Sequence, residues 1–96
     1  MFSRLIERIA SCVEDEGIPY MIMGGQAVLV YGEPRLTRNI DITLGIGLEG
    51  LARVIMVLKK AGMEVLVDDP EDFAGKTMVV PASDPETGLR IDFILS

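Results

Sequence analysis

Histidine and tryptophan are absent from this chain of 96 residues, and cysteine occurs once. Without histidine there is neither a His/Cys zinc site nor a Ser-His-Asp triad. One cysteine allows no disulfide within the chain, which suits a reducing compartment. Cys12 stands at helical spacing from Leu5 and Ile9, so it reads as a reduced core thiol rather than a nucleophile. No run of apolar residues reaches the length of a membrane span. The opening Met1-Phe2-Ser3-Arg4 lacks the apolar stretch of a secretory signal. A cytoplasmic protein that does not enter a membrane is the expectation.

Basic residues are scarce relative to acidic ones, nine against fifteen, for a net charge of −6. That balance argues against a broad electrostatic footprint for nucleic acid. It still permits a nucleotide held through a metal ion, because the ion supplies the positive charge. Hydrophobic residues make up 49%. Counted with the ten glycines, the apolar share lies above the usual range of roughly 45–50%. A tightly packed core, a buried partner surface such as a homo-oligomer contact, or a piece of a larger protein would each account for the excess. The length fits one small domain over residues 1–96.

Along the chain, Leu5, Ile6, Ile9 and Val13 mark an amphipathic helix over 2–16, stopped by Gly17 and Pro19. Tyr20 to Met23 is a short apolar run that predicts a buried strand, ending at Gly24-Gly25. Gln26 to Tyr31 predicts a short helix, and Arg35 to Arg38 a polar loop. Ile40, Ile42 and Leu44 alternate with Asn39, Asp41 and Thr43, the pattern of a strand with one polar face. Leu48 to Ala61 predicts a helix closed by Lys59, Lys60 and Gly62. Met63 to Val67 predicts a strand, Asp68 to Lys76 an acidic loop, and Thr77 to Ala82 with Leu89 to Leu95 two further strands. The expected order is α-β-α-β-α-β-β-β, an α/β fold with a mixed β-sheet flanked by helices.

Two features carry chemistry. A strand that ends in Gly24-Gly25 and turns into a helix presents backbone N–H groups that phosphate oxygens can approach without meeting a Cβ. The same pair also serves as nothing more than a tight turn. Residues two apart on a strand share a face, so Asn39 and Asp41 point together. Asp41 offers a carboxylate, and Asn39 a carbonyl oxygen without charge. Asp92 stands on the less apolar face of the last strand, between Ile91 and Phe93. If that strand pairs beside Asn39–Leu44, Asp41 and Asp92 come close, an arrangement that repels unless a cation lies between them.

Met23-Gly24-Gly25-Gln26-Ala27, then Tyr31-Gly32, then Pro34-Arg35-Leu36-Thr37-Arg38-Asn39-Ile40-Asp41-Ile42 resembles the minimal nucleotidyltransferases of the polymerase-β superfamily. The abortive-infection branch, with its Gly-Gly-x-Ala and Pro-Arg-x-Thr-x-Asp-Ile-Asp pattern, is the most similar. The resemblance runs over about 18–95 and includes Arg90-Ile91-Asp92-Phe93-Ile94, where the family carries its third acid. It implies a polymerase-β-like core that moves NMP from an NTP to a hydroxyl acceptor on RNA or protein. Catalytic and metal-binding roles would then fall to Asp41, Asp92 and Asn39, and nucleotide binding to Gly24, Gly25, Arg35 and Thr37. The implied cofactor is Mg²⁺ or Mn²⁺, and the implied partners are a nucleoside triphosphate and an antitoxin-like protein.

Asn39 departs from this pattern, since the family has an aspartate there. The loss of one ligand charge predicts weaker metal binding and impaired turnover. The chain also stops at Ser96, directly after the strand of the third acid, so a C-terminal helical region is expected to be missing. A catalytically inactive nucleotide- or partner-binding module is the alternative. Gly45-Ile46-Gly47-Leu48-Glu49-Gly50 matches G-x-G-x-x-G, with Asp68 and Asp69 some twenty residues on, and gives a third reading, dinucleotide binding. It ranks lower, because the preceding strand is polar on one face and the remaining chain is short for a doubly wound sheet.

Overall fold

The structure, a computed structural model, describes residues 2–24, 27–30, 33–36 and 39–96, with side chains over 4–22 and 40–96. Its elements in chain order are α1 (Phe2–Asp15), β1 (Tyr20–Gly24), β2 (Ala27–Val30), β3 (Glu33–Leu36), β4 (Asn39–Leu44), α2 (Leu51–Lys60), β5 (Glu64–Val65), α3 (Pro70–Thr77), β6 (Val79–Ser83) and β7 (Arg90–Leu95). A 3-10 turn over Leu48–Gly50 leads into α2. Five strands form one mixed sheet in the order β1-β4-β7-β6-β5, and β2 with β3 forms a separate antiparallel pair. Of the neighbouring pairs in the large sheet only β4–β7 is parallel.

Register sorts the strands into rows across the sheet. One face carries the row Ile22–Ile42–Phe93–Val80 and the row Gly24–Ile40–Ile91–Ala82. Ile40, Ile42, Ile91, Phe93, Val80 and Ala82 are all buried, in one core with Leu5, Ile9 and Val13 of α1 and Val54, Val57 and Leu58 of α2. Sealing side chains of this size from water is the main stabilising term, roughly 1.5–3 kcal/mol for each large aliphatic or aromatic group.

Both long helices end the same way. Gly17 and Gly62 adopt φ of +69° and +78°. The next residue then donates its N–H back to the last turn, Ile18 to the Val13 carbonyl at 3.2 Å and Met63 to the Leu58 carbonyl at 2.9 Å. Ile18 and Met63 are buried, so each closure turns the chain and adds an apolar contact.

Three stretches differ from the sequence expectation. Residues 27–30, expected within a helix, form a strand whose register runs Ala27↔Leu36 to Val30↔Glu33. Val28 and Val30 are β-branched, and so short a run cannot offset the cost of nucleating a helix. Their partner strand takes up Arg35 and Leu36, where the sequence predicts a polar loop. The acidic segment after β5 is a helix, α3. The Asp69 side chain caps it by accepting from the Asp72 N–H at 3.1 Å, Pro70 opens it, and Lys76 pairs with Asp72 at 3.2 Å. Finally, β1 is an edge strand rather than a buried one: Met21 is 61% exposed because it lies on the face away from the core.

Candidate functional site

Strand alternation that buries Ile40 and Ile42 turns Asp41 to the opposite face, and the same holds for Asp92 between Ile91 and Phe93. The parallel pairing then sets Asp41 directly beside Asp92. Both are half-buried. The full row reads Met23, Asp41, Asp92, Pro81. Gly24, the last residue of β1, is in register with Ile40 and so lies one row from the acids. β1 therefore ends where β4 and β7 begin, and the glycine and the two carboxylates gather at that end of the sheet.

A cation completes this group. Arg90 donates from Nε to Asp92 Oδ1 at 3.1 Å. It is in register with Asn39, the first residue of β4. Arg90 was not among the site residues expected from sequence. The signal was present nonetheless, since a residue two before Asp92 on a strand shares its face.

Of the other expected residues, Arg35 lies on β3 in register with Val28, apart from the large sheet. Gly25 and Thr37 lie outside the described residues. Among the described residues no three histidine, cysteine or acidic side chains gather as a metal-ligating group. The donors that do converge are two carboxylates on adjacent rigid strands, a hard oxygen set that suits Mg²⁺ or Mn²⁺ in type and charge.

The glycine-rich segment after β4 answers to packing. A Cβ on Gly45 would come to 3.0 Å from Pro19, and one on Gly50 would overlap the Ile46 side chain. The Gly47 N–H is taken by Glu49 Oε1 at 3.2 Å. A dinucleotide fold needs the strand after the helix to lie in a parallel sheet with the strand before it. Here β5 sits at the far edge, antiparallel to β6. Asp69 is spent as the cap of α3. Two clefts of about 340 and 520 Å³ share Arg8, Asp84 and Glu86, and neither is lined by Asp41 or Asp92. Buried Asp84 holds the β6–β7 turn, accepting from the Thr87 N–H at 3.2 Å and the Thr87 hydroxyl at 2.8 Å, with Arg8 at 3.4 Å.

The fold recurs in known structures. The antibiotic-resistance factor ANT(2'')-Ia, solved in solution, superposes with a TM-score of 0.67 at 19% identity over 97% of this chain and 45% of its own. The lincosamide antibiotic adenylyltransferase LnuA, bound to lincomycin, superposes with a TM-score of 0.63 at 21% identity over 96% of this chain and 54% of its own. This is the polymerase-β-type nucleotidyltransferase fold. The chain spans about half the length of these two nucleotidyltransferase-fold proteins. Its sequence matches no protein-family profile and no curated protein. Among the described residues no helix is long and apolar enough to cross a membrane.

Proposed function

We propose that this chain is a nucleotidyltransferase core that binds a nucleoside triphosphate with a divalent cation and directs its α-phosphorus to a hydroxyl acceptor. The observation that carries the reading is the register pairing of Asp41 with Asp92, one row from Gly24. Two carboxylates held side by side repel, a cost that Arg90 offsets at Asp92 and that a bound cation would offset at both. Bound there, Mg²⁺ or Mn²⁺ would offset triphosphate charge and acidify the acceptor hydroxyl. Asp41 and Asp92 would hold the cation, Gly24 and Gly25 would give backbone N–H groups to phosphate oxygens, and Arg35 and Thr37 would bind the nucleotide. Pyrophosphate would leave as the acceptor oxygen bonds to the α-phosphorus, and the hydroxyl proton would pass to solvent.

Charge and likeness bear on which acceptor to test. A net charge of −6 disfavours RNA. ANT(2'')-Ia and LnuA are named for antibiotics, which puts a small hydroxylated molecule beside a protein side chain as the acceptor to test. A second reading, a nucleotide- or partner-binding module with blunted turnover, is supported by Asn39, an uncharged residue two before Asp41 on β4. An antitoxin-like protein would be a partner under that reading.

Titration of ATP, CTP, GTP and UTP with and without Mg²⁺ or Mn²⁺ tests both. Metal-dependent binding that disappears in Asp41→Ala and strengthens in Asn39→Asp is the expected result. Tight NADH binding untouched by Asp41→Ala would overturn it.

A further inference from the structure

We propose that Arg90 is a positioning residue that competes with the divalent cation for Asp92, so that the native site takes free metal weakly and the arriving metal–nucleotide complex displaces the guanidinium. This rests on the function proposed above. The geometry is direct. Arg90 Nε bonds Asp92 Oδ1 at 3.1 Å, from two residues earlier on the same face of β7. The ion pair occupies one of the only two carboxylates in the Asp41 row, and Asn39, in register with Arg90, brings no charge of its own. Asp41, Asp92 and Arg90 together therefore leave the site one net negative charge where the two acids alone would leave two.

That difference acts on a dication with double force. A cation close to Asp92 repels an incoming Mg²⁺ or Mn²⁺ and must also surrender a lone pair of the carboxylate. Arg90 is 47% exposed at the side chain and Asp92 22%, so the guanidinium is free to leave without disturbing the core. The pair itself holds weakly, as ion pairs open to solvent do. Once released, a planar guanidinium is well matched to a phosphate oxygen. Arg90 would exchange one anion for another, its carboxylate for the triphosphate, and its displacement would couple metal binding to nucleotide binding.

Free Mn²⁺ measured by electron paramagnetic resonance without nucleotide, and binding of the preformed Mn²⁺–ATP complex measured by calorimetry, read the two halves of this. The full chain is compared with Arg90→Gln, Arg90→Lys and Asp41→Ala, each checked for an unchanged thermal melt. Arg90→Gln should bind Mn²⁺ alone about tenfold more tightly than the native chain, and Arg90→Lys should stay near native. With ATP present the gain should vanish, because the glutamine variant has lost its phosphate partner. Metal binding abolished by Asp41→Ala but unchanged or weakened by Arg90→Gln would overturn the competition while leaving the proposed site standing. Binding that survives Asp41→Ala, or none in any variant, would overturn both.

Discussion

The two faces of the five-stranded sheet are made by the same strands and do opposite things. Toward α1 and α2, Ile40, Ile42, Ile91 and Phe93 are sealed from solvent. One residue along, on the other face, Asp41, Thr43, Asp92 and Ile94 stay half-exposed, and Met21 is open. The period of two lets one strand anchor the fold and present polar groups at adjacent positions. Stability is concentrated on one side, so like charges can be placed together on the other. The parallel register of β4 and β7 ties the two faces to one another. A slip of one residue would bury Asp41 and expose Ile40 in the same move.

The largest break in that comparison comes from the sealed face. Phe93 sits in the row of Ile42 and Val80 and is fully buried. Phe93→Ala should lower the unfolding free energy by roughly 3–5 kcal/mol, through lost burial and the cavity left behind. Urea melts followed by circular dichroism measure it. A loss below about 1 kcal/mol would mean that the covered face is not the main anchor.

Much of this division was legible in the letters. Alternation over 39–44 and 89–95 names the inward residues of both central strands and the outward acids. Gly17 and Gly62 mark both helix ends. What the letters could not give is strand order, and with it the pairing of Asp41 with Asp92, because pairing depends on how the whole chain packs. Residues 27–30 show the limit of local propensity: a short apolar run fits a helix or a strand, and the neighbouring 33–36 segment decides. The helix α3 is hidden in the sequence for a different reason. It has no apolar stripe, with only Ala74 buried, and its signal lay wholly in the Asp69-Pro70 start and the acids behind it. Arg90 was missed because an arginine on a strand face usually serves only solvation, and the spacing to Asp92 gains meaning once Asp41 is known to lie alongside.

On the open face the effect on stability should be small and of opposite sign. Asp41→Asn removes one of two adjacent carboxylates while keeping shape, and Asp92 keeps its Arg90 partner. The unfolding free energy should stay level or rise by less than about 1 kcal/mol, whereas metal-dependent nucleotide binding should be lost. Running the same variant through both assays separates the two faces. A destabilisation comparable to that of Phe93→Ala would show that Asp41 is part of the scaffold rather than of the site.

The smallest expected effect lies at the rim, where β1 meets the end of α1. Tyr20 pairs with Leu44 on the covered face, and its hydroxyl donates to Glu14 Oε2 at 2.6 Å. That hydrogen bond, then desolvation, then the charge of Glu14 raise the Tyr20 pKa above its ordinary 10.0. An acid whose folded pKa is raised stabilises through its protonated form. The contribution is therefore complete below the pKa of an unfolded tyrosine and disappears as pH climbs through the higher folded value. The native chain should lose slightly more stability between about pH 9 and 11 than Tyr20→Phe does, because the variant has no hydroxyl to ionise beside Glu14. Urea melts of both proteins across that interval make the comparison. If the two curves run parallel, the Tyr20–Glu14 bond does not tie β1 to α1, and the rim of the covered face is held by apolar contact alone.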